Sequence, residues 1–299
     1  MSTADAELEI VLLAREADLP GGLHVRRAIP QARRRMVGPF VFVDQMGPAE
    51  FGPGEDITVL SHPHIGLSTV TYLFEGEGVH RDSIGTVQRI LPGEVNWMTA
   101  GRGIVHLEQM AAGATGRVFG VQTWVALPQD REECEPSFDH YDTSAVPVIE
   151  EGGATIRLIA GSLFGARSAV RTSSPLFYAD VRLEAGAVLQ LAPEYEERAA
   201  FIIDGRIALT DNALGSGEMG VLQPGATVLL RAEEPTHLLL LGGDPLDGPR
   251  YISWNFVSSS RERLEQAADD WRNQRFERIE GETSYIPLPG DGDGPVNYP

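Results

Sequence analysis

Two short clusters of chemistry-bearing residues dominate the first half of the chain: His62-Pro63-His64 and His106-Leu107-Glu108. Within each pair the two potential ligands are spaced by two. On a β-strand, residues i and i+2 point to the same face, so each pair sets two ligand groups on one side. Two neighbouring strands could then aim all four at one point. Three neutral imidazoles with one carboxylate form a mixed nitrogen and oxygen set that suits Fe, Ni, Cu, Zn or Mn. Such a set leaves coordination positions open for water or substrate, whereas a closed structural zinc site is built mainly from cysteine. The chain has a single cysteine, Cys134, so neither a cysteine-rich site nor an internal disulfide is available to it.

The elements that must position these residues read as all-β. Short apolar runs recur at close intervals, among them Phe40-Val41-Phe42-Val43, Thr69–Phe74, Leu189-Gln190-Leu191, Ala200–Ile203 and His237–Leu241. Glycine, proline and aspartate turns bound them, such as Pro53-Gly54, Pro92-Gly93, Asp204-Gly205 and Pro224-Gly225. This spacing fits a sandwich or small barrel better than alternating strands and helices. Met98–Ile104 is a glycine-containing bend placed to bring His106 and Glu108 back beside the first histidine pair. A faint repeat is also present. Phe74-Glu75-Gly76 followed by Pro92-Gly93 parallels Ile203-Asp204-Gly205 followed by Pro224-Gly225, as two copies of one barrel would. The polar stretch from Glu132 to Ser144 is the expected junction, giving domains over 1–135 and 136–299.

One helix is expected late in the chain. Ser259-Ser260-Arg261-Glu262 has the form of a capping box, and Leu264, Ala267, Ala268 and Trp271 follow at helical spacing. From Gly281 onward the sequence reads as extended or loosely ordered chain.

The remaining histidines divide by context. His24 and His140 lack a partner at ligand spacing and read as surface residues. His80 falls in a polar connection, Gly78–Ser83, where a place on the pocket rim is the functional reading. His237 opens the last apolar strand of the second copy, which offers no His-x-His pair; that half is expected to be free of metal.

Charge and composition exclude several classes. With 299 residues, 42% hydrophobic and 22% charged, the composition is that of a globular protein with room for two domains. A formal net charge of −19 repels nucleic acid. The one basic run, Arg26, Arg27 and Arg33–Arg35, has no interleaved aromatics and reads as a solvated or structural face. No apolar run approaches the roughly 18 residues of a membrane span. The N-terminal stretch Met1–Glu9 carries Asp5, Glu7 and Glu9 and no basic residue, unlike a secretory signal, so a cytoplasmic location is expected.

Several longer segments resemble the pirin family. They are Asp44-Gln45-Met46-Gly47-Pro48, His62-Pro63-His64-Ile65-Gly66, Thr69–Leu73, Trp97–Glu108 and Pro249–Ser260. The resemblance implies a bicupin: two tandem double-stranded β-helix barrels of jelly-roll type with a C-terminal helix, only the first barrel binding metal. It places the family's metal ligands on His62, His64, His106 and Glu108. The general cupin pattern has a glutamate where this chain has Ser68 and Thr69; in pirins the carboxylate comes from the later pair. Leu191, Pro193, Glu194 and Glu196 match the family's metal-free half. The implied cofactor is one divalent ion, iron first among Zn, Ni, Cu, Mn and Co.

Some bacterial members similar to this chain are quercetin 2,3-dioxygenases, which open the central ring of flavonols with O2 and release carbon monoxide. The implied partners are therefore a flavonol-like substrate and O2, with Glu108 as the general base toward the flavonol 3-hydroxyl. Nuclear members imply an alternative, a non-enzymatic, metal-dependent and redox-sensing regulator with a protein partner. A monomer is the family's default.

Overall fold

A computed structural model describes residues 7–18, 23–50, 56–111, 117–291 and 296–297. The expected Pro53-Gly54 turn and the first six residues lie outside the described residues. Among those described, the secondary structure is β-strand with one α-helix, Arg261–Arg272, and two short 3-10 turns. Contacts divide the chain into two compact units.

The first unit holds most of the second half of the sequence. Its larger sheet runs in the order Leu8–Leu13, Glu218–Leu222, Glu197–Asp204, Thr236–Gly243, Leu176–Leu183, Ala154–Leu163 and Val148–Glu151. A four-stranded sheet of Val188–Leu191, Val228–Ala232, Arg206–Ala208 and Ala213–Gly215 contributes to the same core. That core is an apolar cluster that includes Ile156, Phe177, Leu191, Ile202, Ile207, Val228 and Leu240. Leu191 of the expected metal-free strand is fully buried in it.

The second unit carries the His62-Pro63-His64 and His106-Leu107-Glu108 clusters. One sheet contains, in order, Ser284–Tyr285, Asp56–His64, Ile104–Ala111, Glu77–Asp82 and Val87–Ile90. A second contains Ser137–Tyr141, Val95–Thr99, Leu67–Glu75 and Arg117–Ala126 as neighbours. The Ile104–Ala111 strand shows why the pattern reads as it does. His106 and Glu108 face the other sheet, and Val105 and Leu107 point away into a cluster with Phe256, Leu264, Ala267 and Trp271. Each such side chain stabilises by about 1.5–3 kcal/mol on full burial, so the outward positions anchor the strand that presents the inward ones.

The bend before this strand is as expected. Gly101 and Gly66 adopt φ of +51° and +67°, and a Cβ would stand 2.0 Å from a backbone oxygen at each, Cys134 O and Val257 O respectively. Only glycine fits. The repeat is also visible in matched turns: Gly76 and Gly205 take φ of +87° and +86°, and Gly93 and Gly225 take +81° and +75°.

Two expectations, the capping box and the loose tail, are revised. The helix packs on the outer face of the His106 strand, so the chain after Asp247 groups with Gln45–His140, and the Leu8–Leu13 strand groups with the second half. The compact units thus interleave along the chain, and the ranges 1–135 and 136–299 stand as the proposed sequence division. The helix N-cap is Ser260, one residue later than a reciprocal capping box requires: its Oγ accepts from Arg263 N at 3.2 Å and donates to Glu262 at 2.8 Å. The tail past Gly281 is docked as far as it is described. Tyr285 pairs with Ser61, Leu288 is 6% exposed, and Trp271 Nε1 donates to Ile286 O at 2.9 Å.

Candidate metal centre

Antiparallel pairing of Ile104–Ala111 with Asp56–His64 sets His106 directly opposite His62 and Ile104 opposite His64. The ring centroids lie 4.3 Å apart for His62 and His106, 4.9 Å for His64 and His106, and 5.1 Å for His62 and His64. One ring nitrogen from each falls within 4.8 Å of the other two. All three rings are at most 7% exposed.

Glu108 is placed differently from a simple strand alternation. The register shifts between His106 and Glu108, a β-bulge, so Glu108 lies opposite Val59 on one side and His80 on the other. Its carboxylate forms a second tight group with His80 and His106, again within 4.8 Å. Thr71 Oγ1 donates to Glu108 Oε1 at 3.1 Å and Gln122 Nε2 donates to the same oxygen at 3.5 Å. Thr71 and Gln122 are themselves cross-strand partners in the facing sheet. The centre is therefore enclosed by two sheets.

The hydrogen bonds orient the rings. His62 Nδ1 donates to Leu60 O at 2.8 Å and His64 Nδ1 donates to Asn255 O at 3.0 Å. A carbonyl can only accept, so both rings carry their proton on Nδ1 and present a bare Nε2. His106 Nδ1 lies 3.4 Å from His80 Nδ1. His106 Nε2 is buried and, among the described residues, meets no hydrogen-bond partner. A buried polar atom left unmatched costs about 1–3 kcal/mol, a cost that a metal–nitrogen bond removes. The residues present thus fit a metal ion.

Electrostatics favours the same state. Burial, with the neighbouring imidazoles adding to it, lowers the proton affinity of the histidines. His62 is pushed down to about 4, and His64 and His106 fall well below the usual range. All three are neutral at pH 7, the form that binds metal. Burial raises the Glu108 carboxyl, and the bonds from Thr71 and Gln122 oppose that rise.

Sequence reasoning missed part of the surroundings. His80 is no loop residue: it sits in the Glu77–Asp82 strand, 5% exposed, and its ring stacks on Phe138 at 4.4 Å. Asn255 is 191 residues from His64 and left no local signal. The chain on either side of it is tied down: Arg250 Nε meets Glu132 at 2.7 Å, and Glu132 accepts from Ser258 Oγ and Ser259 N. The other histidines lie elsewhere: exposed His24 bonds Asp18, His140 Nδ1 bonds Asn96 at 2.8 Å, and buried His237 bonds Asp180 at 2.7 Å. Within the basic run, Arg27 pairs with Asp44, Arg34 with Glu9 and Glu197, and Arg26 donates to Ser216. No helix among the described residues is long and apolar enough to cross a membrane.

Comparison with known proteins agrees with this architecture. The model of the Pirin family matches residues 22–125, and that of the Pirin C-terminal cupin domain matches residues 178–277. A pirin-like protein of Caulobacter vibrioides is 50% identical over 288 residues, covering 94% of this chain and 99% of its own. A Pseudomonas aeruginosa relative, provisionally named a quercetin 2,3-dioxygenase, is 38% identical over 271 residues, covering 89% of this chain and 85% of its own. The crystal structure of quercetin 2,3-dioxygenase from Acinetobacter baumannii superposes with a TM-score of 0.85 at 31% identity, covering 96% of this chain and 97% of that one. The two halves of the fold are cupins, and the chain belongs to the pirin family.

Proposed function

We propose that the chain is a metal-dependent dioxygenase that opens the central ring of a flavonol such as quercetin with O2. The observation that carries this reading is the convergence of three neutral, buried imidazoles on one point, with the Glu108 carboxylate beside one of them. The likeness to the Acinetobacter baumannii quercetin 2,3-dioxygenase over nearly the whole of both chains supports the choice of reaction.

His62, His64 and His106 would hold the ion through Nε2, with Glu108 as the fourth ligand. The set accepts iron, and also Zn, Ni, Cu, Mn or Co. A bound divalent ion supplies Lewis acidity and a template for the flavonol oxygens. Glu108 would take the proton of the flavonol 3-hydroxyl, its raised proton affinity bringing it closer to that task than an exposed carboxylate. Thr71 and Gln122 steady the ionised carboxylate by donating to Oε1. Trp124, 7% exposed and edge-on to His64 at 5.1 Å, keeps water from that side of the ring.

The test is oxygen uptake by purified protein, loaded in turn with Fe, Mn, Ni, Cu, Co and Zn, on addition of quercetin. The reading expects uptake matched by loss of flavonol absorbance, and none in a Glu108→Ala variant. Protein that binds metal yet consumes no oxygen with any ion would displace this reading in favour of a metal-dependent regulator.

A further inference from the structure

A buried chain of hydrogen bonds leads from His106 to a carboxylate that the reaction does not use. Asp82 has a side chain with no exposed surface. Its Oδ1 accepts from Ile84 N at 3.1 Å and Thr86 N at 2.9 Å, which fixes the carboxylate in place. Its Oδ2 lies 2.9 Å from His80 Nε2, and His80 Nδ1 lies 3.4 Å from His106 Nδ1. For His106 to offer Nε2 to a metal it must carry its proton on Nδ1. That proton needs an acceptor, and His80 Nδ1 is the atom facing it. His80 must then carry its own proton on Nε2, where Asp82 Oδ2 receives it.

We infer that Asp82 and His80 form a positioning pair that fixes the tautomer of His106 and so presents the Nε2 lone pair to an incoming ion. This rests on the metal-centre reading above, with the ion gripped through one more residue than a direct carboxylate–histidine–metal triad uses. Because Oδ1 is pinned by two backbone amides, an amide in place of the carboxylate has only one way to sit: its oxygen on Ile84 N and Thr86 N, its NH2 toward His80. His80 Nε2 must then accept, His80 Nδ1 must donate, and the proton of His106 moves to Nε2. A single atom changed at residue 82 thereby reverses two rings.

The test is nitrogen-15 NMR of the histidine rings in metal-free full-length protein, wild type and Asp82→Asn, with Co(II) titration of both. The wild type is expected to show His106 protonated on Nδ1. Asp82→Asn is expected to show it protonated on Nε2 and to bind Co(II) about 10–100-fold more weakly, the usual loss on disturbing an outer partner of a ligand. A folded Asp82→Asn protein that keeps the Nδ1 tautomer and full Co(II) affinity would overturn the inference. If that variant does not fold, His80→Phe retains the stacking on Phe138 but offers no acceptor. It is expected to give a mixture of His106 tautomers, and an unmixed Nδ1 form would again overturn the inference. Failure of the metal-centre reading itself looks different: Co(II) binding that is unchanged in His106→Ala.

Discussion

His64 donates its Nδ1 proton to the carbonyl oxygen of Asn255, 3.0 Å away and 191 residues further along the chain. The tautomer of His64, and with it the bare Nε2 proposed to hold metal, is thus set by a segment that contributes none of the proposed ligands. That segment reaches the centre because Gly66 lets the backbone pass against Val257 and because Arg250 ties it to the 127–132 stretch.

Arg250→Met is expected to be severe. The guanidinium is fully buried and bonds Glu132 and Leu127 O, so its loss leaves a nearly buried carboxylate without its charge partner. Removing one member of a buried pair costs about 3–5 kcal/mol. Denaturant unfolding should show a loss of this size, and metal affinity should fall with it because Asn255 is no longer held. A loss under 1 kcal/mol would contradict the anchoring role.

Gly66→Ala tests the close approach itself. At φ +67° with a Cβ placed 2.0 Å from Val257 O, alanine forces the two backbones apart. The expected cost is more than about 1 kcal/mol, above the usual effect of alanine at a left-handed position. Thermal melting checks it, and an unchanged melting temperature would be inconsistent with this packing.

What the sequence made legible was local. Strand rhythm, turn glycines and the His-x-His and His-x-Glu pairs are all written within a few residues, and so the all-β class could be read directly and the four residues proposed as ligands could be singled out. The unreadable parts depend on pairing at a distance. Nothing near Leu8–Leu13 says that it will pair with Glu218–Leu222, and nothing near Ser284 says that the tail will dock on Ser61. The bulge that separates His106 from Glu108 is invisible to a period-two pattern, as is the burial that moves His80 from a loop rim to the side of His106. Asn255 acts through its carbonyl, which every residue has.

Thr71→Val probes Glu108 without changing a ligand. Thr71 lowers the carboxyl's proton affinity by donating to Oε1, so removing the hydroxyl raises it further. The base form then requires a higher pH, and the acid limb of the pH–activity profile for flavonol loss should shift upward. The variant should lose about 1 kcal/mol in stability, the typical value of one hydrogen bond. An unmoved acid limb would separate Glu108 from the proton transfer.

Stability of the metal-free protein should fall on acidification in a defined window. His62 ionises near 6.5 when unfolded and is pushed down to about 4 when folded. Between those values the unfolded chain binds the extra proton, so folding stability is complete above 6.5 and is lost as the pH drops toward 4. His64 and His106 act in the same direction. Urea midpoints at pH 7, 5.5 and 4.5 should show a steeper decline in the wild type than in His62→Asn. Equal slopes would contradict the buried, neutral state of the cluster.

The most direct measurement is metal content after loading the stripped protein with Fe(II) or Co(II) under nitrogen and removing free ion. A single ion per chain is expected in the wild type, lost from His62→Ala, His64→Ala and His106→Ala while their circular dichroism stays unchanged. A full complement of metal in folded His106→Ala, or none in the wild type, would contradict it.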